Sequence, residues 1–243
     1  MKRCCIVVPT YNERENIKRL IPELMEISQK FVDKWDVVVL VVDDGSPDGT
    51  AGEVKRLSRG NPDRVFLLER KEKKGLGTAY RAGFDYAIEE LKADVLVEMD
   101  ADLSHDPRDL SRLLDKIEEG YDFVIGSRYI EGGKIEGWPW RRRLISWAGN
   151  FLGRFALSFK VMDCTSGYRA IRASLVDSSS NGLETKGYAF QLSSLYLAFK
   201  KRAKVVEIPI VFRERKFGKS KLGNKDLIEF IKTGFKFRFG WRV

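Results

Sequence analysis

Histidine is almost missing from this chain: His105 stands alone among 243 residues. A multi-histidine metal site is thereby ruled out, and a Ser-His-Asp relay has little to draw on. Cysteine is scarce as well. Cys4, Cys5 and Cys164 are the only three, two of them adjacent, with no Cys-x-x-Cys spacing. Neither a disulfide framework nor a thiolate zinc site is expected, and a reducing cytosol fits. Long apolar runs are lacking too. The longest, Val37 to Val42, is strand-sized, far below the roughly 18 residues that a membrane span needs. The opening Met-Lys-Arg-Cys-Cys leads into a strand rather than a signal peptide. No internal repeat, low-complexity tract or Gly/Ser/Pro linker divides the chain.

Hydrophobic residues make up 43% of the chain, enough for a sizeable core. The formal charge is +9. Such a balance points to a polyanionic partner: nucleic acid, an anionic membrane or a phosphorylated substrate. A merely basic, solvated surface is the plainer account of the same number.

Short apolar runs alternate with helical spacing. Strands are expected at Cys4–Val8, Val37–Val42, Val65–Glu69, Asp94–Met99 and Asp122–Ile125, and again at Val205–Phe212. Helices are expected at Asn16–Phe31, Ala51–Arg59, Thr78–Leu91 and Leu144–Val161. Residues 131–143 read as a loop. From Lys236 onward the alternation suits a strand or an interfacial segment. This order is the signature of an α/β fold, a mostly parallel sheet with crossover helices. In such sheets ligands sit beyond the carboxyl ends of the strands. Pro9-Thr10-Tyr11-Asn12-Glu13, Asp43 to Ser46, and Asp100-Ala101-Asp102 all follow strand ends, so one rim gathers all three.

Asp100 and Asp102 can share one cation, and hard Mg²⁺ or Mn²⁺ prefers such oxygens and bridges to substrate phosphates. Ser104 and His105 are near enough in sequence to add a ligand or a water contact. A helix cap is the competing account of either aspartate. Asp44 can accept hydrogen bonds from a base or ribose, while Asp48 or Thr50 caps a helix. Gly75-Leu76-Gly77 opens a helix whose N–H groups can meet phosphate, although a plain turn fits equally. Gly126-Ser127-Arg128-Tyr129, Arg141-Arg142-Arg143, and Arg213 and Arg215 with Lys216, Lys219 and Lys221 supply cations for phosphates. Leu144–Val161, introduced by Trp138-Pro139-Trp140, and the tail Phe230–Val243 mix aromatic with basic residues. That suits a membrane interface and, equally, core packing.

Together these motifs are specific. PTYNERENI (9–17), VVDDGSPDGT (41–50), KGLGTAY (74–80), MDADLSHDP (99–107), GSRY (126–129), WPWRRRLIS and GN within 138–150, TSGYRA (165–170), KGYAFQ (186–191) and RERKFGKSKLG (213–223) occur in this order. The sequence resembles the dolichol-phosphate mannosyltransferases, family-2 glycosyltransferases with the GT-A fold. The resemblance implies that residues 1–223 form the catalytic domain and 224–243 a basic aromatic tail without a transmembrane helix. It implies that Pro9, Tyr11, Glu13, Val42 and Asp44 hold the guanosine of GDP-mannose. Asp100 and Asp102 would bind Mg²⁺ or Mn²⁺, with Ala101 touching the donor through its backbone. Arg215 and Lys221 would grip the donor phosphates. Arg128, also beside the donor, would join Arg142 and Ser146 in positioning the acceptor phosphate. Some relatives carry Gln where Ser104 stands.

The implied acceptor, a dolichyl or other polyprenyl phosphate, is already anionic, so its oxygen can attack the anomeric carbon without a general base. One displacement inverts the centre and gives a β-mannosyl lipid phosphate. Membrane contact would be peripheral, on the cytoplasmic face, through the amphipathic segments or an anchor subunit. On this account nucleic acid is not a partner. Three other readings compete: a sibling enzyme using UDP-glucose, a basic nucleic-acid-binding module, which would need no metal, and a non-catalytic lipid-binding protein, against which the intact Asp100/Asp102 pair speaks.

Overall fold

The structure, a computed structural model, describes residues 1–157, 160–176, 187, 189–215 and 223–240, except for the side chains of 224–227. The core strand is β1 (Lys2–Thr10), parallel to β2 (Trp35–Asp43) on one side and β4 (Val95–Glu98) on the other. Strand β3 (Val65–Glu69) adds to β2. Period-two alternation makes β1 apolar on both faces. Cys4, Ile6 and Val8 join one core layer, Cys5 and Val7 the other. Helices α1 (Arg14–Ser28), α2 (Thr50–Gly60) and α4 (Leu110–Glu118) cover the first face. Helices α3 (Leu76–Glu89) and α6 (Phe190–Lys200) cover the second. Leu110, Leu113, Leu114 and Ile117 of α4 recur at helical spacing and are buried, although this helix was not anticipated.

The sheet order is β3-β2-β1-β4-β7-β5-β8. The chain winds outward from β1 through β2 to β3, and α3 then carries it back past β1 to β4 on the other side. The crevice between the carboxyl ends of β1 and β4 is thus a topological switch point, where ligands bind in such folds. Strand β7 (Arg169–Arg172) lies antiparallel between β4 and β5 (Phe123–Ser127). Its four residues, Arg-Ala-Ile-Arg, carry no apolar run to betray a buried strand. Arg169 is nonetheless fully buried, because its guanidinium donates to the carbonyls of Gln191 and Cys164 and to Ser194 Oγ.

Three expectations are corrected. The segment 131–143 is not all loop: β6 (Lys134–Glu136) pairs with β9 (Val211–Arg213), and α5 (Trp140–Leu157) starts early. The run Val205–Phe212 divides at Ile210. Strand β8 (Val205–Pro209) stays in the main sheet beside β5, and β9 leaves it for the two-stranded ribbon. The tail is helical, α7 (Asn224–Phe239), not an alternating strand. Phe237 stacks on Tyr196 of α6, with centroids 4.0 Å apart. Phe235 and Phe239, four apart, share the outer side.

Helix α5 is inverted relative to an ordinary surface helix. Its small residues Gly149, Gly153 and Ala156 face inward. Trp140, Leu144, Ile145, Trp147, Phe151 and Phe155 are all at least half exposed, Trp140 at 68%. Close approach explains the small set: a Cβ on Gly153 would stand 2.9 Å from Cys164 Cβ. Core packing of these aromatics, one of the two readings of the sequence, is therefore excluded. No described helix is long and apolar enough to cross a membrane.

Candidate active site

A cavity of about 410 Å³ opens at the switch point. Its floor is the end of β1 and the turn after β4. Pro9, Tyr11, Glu13, Asp44, Asp100, Ala101, Asp102, Arg128, Arg142, Ser146 and Arg215 all line it. Residues picked from six separate motifs are thus brought together. Val42 is different. Its side chain is fully buried in the core, and its carbonyl accepts a hydrogen bond from Thr10 Oγ1 at 3.4 Å. Lys221 lies outside the described residues, as do Lys216 and Lys219.

The two adjacent aspartates after β2 have divided tasks. Asp43 is used up by the loop: Thr10 Oγ1, Ser46 N–H and Ser46 Oγ donate to it at 2.9, 3.0 and 2.6 Å. Asp44 faces the cavity, with Arg70 Nε 3.3 Å from Oδ1. Burial pushes its carboxyl up and Arg70 offsets part of that. Asp48 accepts from the N–H groups of Thr50 and Arg14, tying the starts of α2 and α1 together. Lys73 lies over the Tyr11 ring, 5.0 Å from its centroid. Gly75, at φ +104°, sets the turn into α3 beside the cavity.

The turn after β4 is held from below. Leu103 sits at φ +61°, and Ser104 N–H donates to Asp102 Oδ1 at 3.1 Å. The Asp100 N–H donates to His105 Nδ1 at 3.3 Å. His105 is buried between Tyr168, stacked at 5.0 Å, and Phe212, edge-on at 5.3 Å. Burial lowers its pKa to about 4, so the ring is neutral and Nδ1 can accept. Ser104 and His105 therefore brace the turn, and neither lines the cavity. The Ser104 carbonyl is taken by the Arg213 N–H at 3.1 Å.

Burial and the neighbouring Asp102 raise the Asp100 carboxyl, with Arg215 opposing. Arg215 Nη2 lies 3.3 Å from Asp102 Oδ2. Two carboxylates crowded at a cavity wall are relieved by a divalent cation. Among the described residues no third His, Cys, Asp or Glu joins them. This donor set fits Mg²⁺ or Mn²⁺, which keep waters and take substrate phosphate oxygens.

The cationic side is built from behind. Arg128 Nε and Nη2 donate to Asp163, and Nη2 also to Thr165 Oγ1. Trp138 and Phe212 flank the guanidinium. Of the Arg141-Arg142-Arg143 run, only Arg142 lines the cavity. Arg141 lies over Trp140, and Arg143 Nη2 caps the Ile135 carbonyl. Arg213 turns outward to Asp106 and Glu136. Asp163, Thr165, Glu214 and the platform role of Trp138 escaped the sequence reading. Each acts through a partner far away in the chain, which no local pattern reveals. Phe230 of α7 was assigned only to the tail, yet it lines the same cavity.

Residues 5–179 match Glycosyl transferase family 2. The chain belongs to that family. It is 43% identical over 229 residues to the polyprenol monophosphomannose synthase of Mycolicibacterium smegmatis, covering 94% of this chain and 84% of that one. It is 38% identical over 229 residues to the dolichol-phosphate mannosyltransferase of Pyrococcus furiosus, covering 93% of this chain and 61% of the relative. The fold is that of glucosyl-3-phosphoglycerate synthase from Mycobacterium tuberculosis, solved with Mn²⁺, UDP and phosphoglyceric acid. The TM-score is 0.70 at 18% identity, over 100% of this chain and 80% of that one. The expected GT-A architecture is thereby shown.

Proposed function

We propose that this chain transfers mannose from GDP-mannose to a dolichyl or other polyprenyl phosphate, releasing GDP and inverting the anomeric centre. One observation carries the reading. A single cavity joins the Asp100/Asp102 pair to the foot of α5, whose outer face is a stripe of exposed aromatics. A water-soluble acceptor would give that face no purpose, whereas a lipid phosphate needs a phosphate grip beside an apolar, membrane-facing surface. The names of both relatives support the same acceptor class.

In this reading Arg142 and Ser146, at the start of α5, orient the acceptor phosphate, with Arg128 beside them. That is catalysis by positioning and electrostatics. The attacking oxygen is already anionic, so none of the lining carboxylates is required as a base. Asp100 and Asp102 would hold Mg²⁺ or Mn²⁺, a cation whose chemistry is to neutralise charge on the departing diphosphate. Arg215, and Lys221 beyond the described residues, would take the donor phosphates. Pro9, Tyr11, Glu13, Asp44 and the Val42 backbone would hold the guanosine, with Ala101 touching the donor by its main chain.

Residues 1–223 are taken as the catalytic unit and 224–243 as its interfacial tail, which also lends Phe230 to the cavity wall; the whole is attached peripherally to the cytoplasmic face, alone or with an anchor subunit. Basic residues at a membrane surface add about 1 kcal/mol each, and Arg141, Arg143, Arg154 and Arg238 are placed to do so. The test is sugar transfer to a short-chain polyprenyl phosphate, comparing GDP-mannose and UDP-glucose with Mn²⁺, Mg²⁺ or EDTA. Metal-dependent product from GDP-mannose alone is expected. Equal use of UDP-glucose, or undiminished transfer in EDTA, would refute the donor or the metal assignment respectively.

A further inference from the structure

We infer that Glu214 is a positioning residue for the acceptor phosphate, acting through Arg142; the inference rests on the lipid-phosphate transfer proposed above. Glu214 follows β9 directly. Both of its carboxylate oxygens accept from one nitrogen of Arg142, Nη1, at 2.7 and 2.8 Å. The same guanidinium lies over the Trp138 indole, its central carbon 4.0 Å from the ring centroid. The guanidinium is thus tethered at two points, at one nitrogen by the carboxylate and over the indole ring. Its Nε and Nη2 have no hydrogen-bond partner among the described residues. That edge is the one by which arginine grips phosphate.

Glu214 does not itself line the cavity, whereas Arg142 and Arg215 do. It therefore stands behind the arginines and not in the place of the phosphate. Arg215 Nε is 3.9 Å from the same carboxylate, so one acid lies between the arginine assigned to the acceptor and the one assigned to the donor. The β6–β9 ribbon holds it there. Its N–H donates to the Glu136 carbonyl at 3.0 Å. Gly137 makes the close approach feasible: a Cβ there would stand 2.8 Å from Glu214 Cβ, and its φ of +81° is itself a glycine conformation. Without this bracket the half-exposed Arg142, on a long flexible stem, is free to leave the cavity wall.

The test compares wild type, Glu214→Gln, Glu214→Asp and Gly137→Ala with a short-chain polyprenyl phosphate and GDP-mannose. Glu214→Gln is expected to raise the acceptor KM about tenfold and to leave the donor KM within about twofold. Glu214→Asp, which keeps the charge, should recover part of the loss. Gly137→Ala displaces Glu214 without altering its charge and should move the acceptor KM the same way. Inorganic phosphate binding, read by calorimetry, needs no turnover and should weaken in Glu214→Gln by a similar factor. An acceptor KM at or below wild type would make Glu214 a competitor for Arg142 and overturn the proposal. An equal rise in both KM values would reduce it to a general structural role. If wild type itself transfers nothing, the functional reading fails, and equal phosphate affinity in wild type and Glu214→Gln would still overturn this one.

Discussion

Arg128 and Asp163 are joined by two hydrogen bonds of 2.7 Å, Nε to Oδ2 and Nη2 to Oδ1, with side chains only 3% and 0% exposed. The Arg128 N–H donates to the same carboxylate at 3.0 Å. Asp163 is held in turn, since Glu207 accepts from the N–H groups of Met162 and Asp163. An arginine at the cavity wall is thus anchored through a carboxylate buried behind it. Asp163→Ala leaves a buried, uncompensated cation. A loss of about 3–5 kcal/mol in urea unfolding is expected, with transfer falling in the fraction that stays folded. A loss under 1 kcal/mol would show that Arg128 finds water instead.

The same pair predicts a pH dependence. Burial alone would raise the Asp163 carboxyl, but Arg128 outweighs it and the pKa lies below the ordinary 3.8. A carboxyl lowered on folding stabilises fully above its unfolded pKa and loses that contribution as pH falls through the folded value. The stability gap between wild type and Asp163→Asn should therefore be constant from neutrality to about pH 4 and narrow below it. A gap already closing near pH 6 would contradict the ion pair.

Asp102→Ala should abolish metal-dependent transfer, a fall on the order of 10³-fold or more, given several kcal/mol of charge stabilisation. The fold should survive, because among the described residues Asp102 accepts only from the Ser104 N–H and pairs with Arg215. Mn²⁺ titration followed by electron paramagnetic resonance, beside circular dichroism, checks both halves. Undiminished Mn²⁺ binding would move the cation site elsewhere.

Arg142→Ala should spoil acceptor use more than donor use. It removes the guanidinium at the foot of α5 while Asp44 and Tyr11 remain in place. About tenfold or more in acceptor KM is expected for a charged hydrogen bond lost, with GDP-mannose affinity close to wild type. Steady-state kinetics in both substrates decides, and equal damage to both would take Arg142 out of the acceptor role.

Phe151→Glu and Trp147→Glu place charge on the exposed stripe of α5. Each removes about 1.5–3 kcal/mol of apolar burial at a membrane, so sedimentation with anionic lipid vesicles should drop sharply. Neither residue lines the cavity, and transfer to a detergent-dispersed short acceptor should persist. Unchanged vesicle binding would leave that face without its proposed partner.

Much of the site was legible because the chemistry sits on strand ends. Asp44, Asp100 and Asp102 each follow an apolar run, and the parallel sheet places such ends on one rim. The arginine run at 141–143 was visible as charge, but only the helical start at Trp140 selects Arg142 for the cavity. Ser104 and His105 stand near the aspartates in sequence, but beyond the positive φ of Leu103 they brace the turn and do not line the cavity.

The sequence by itself determined the layered α/β fold, the aspartate pair at the strand end and the family, because alternating periodicity and short motifs are local and survive any packing. Tertiary structure alone decided what stands behind the site. Asp163 reaches Arg128, Glu214 reaches Arg142, and Arg169 is buried in an antiparallel strand, each through a contact that joins distant segments. The outward turn of the aromatics on α5 was decided in the same way. Hydrophobic periodicity gives a stripe, but only Gly153 packed against Cys164, and Ala156 against Gly234 of α7, settle which side of the helix faces in.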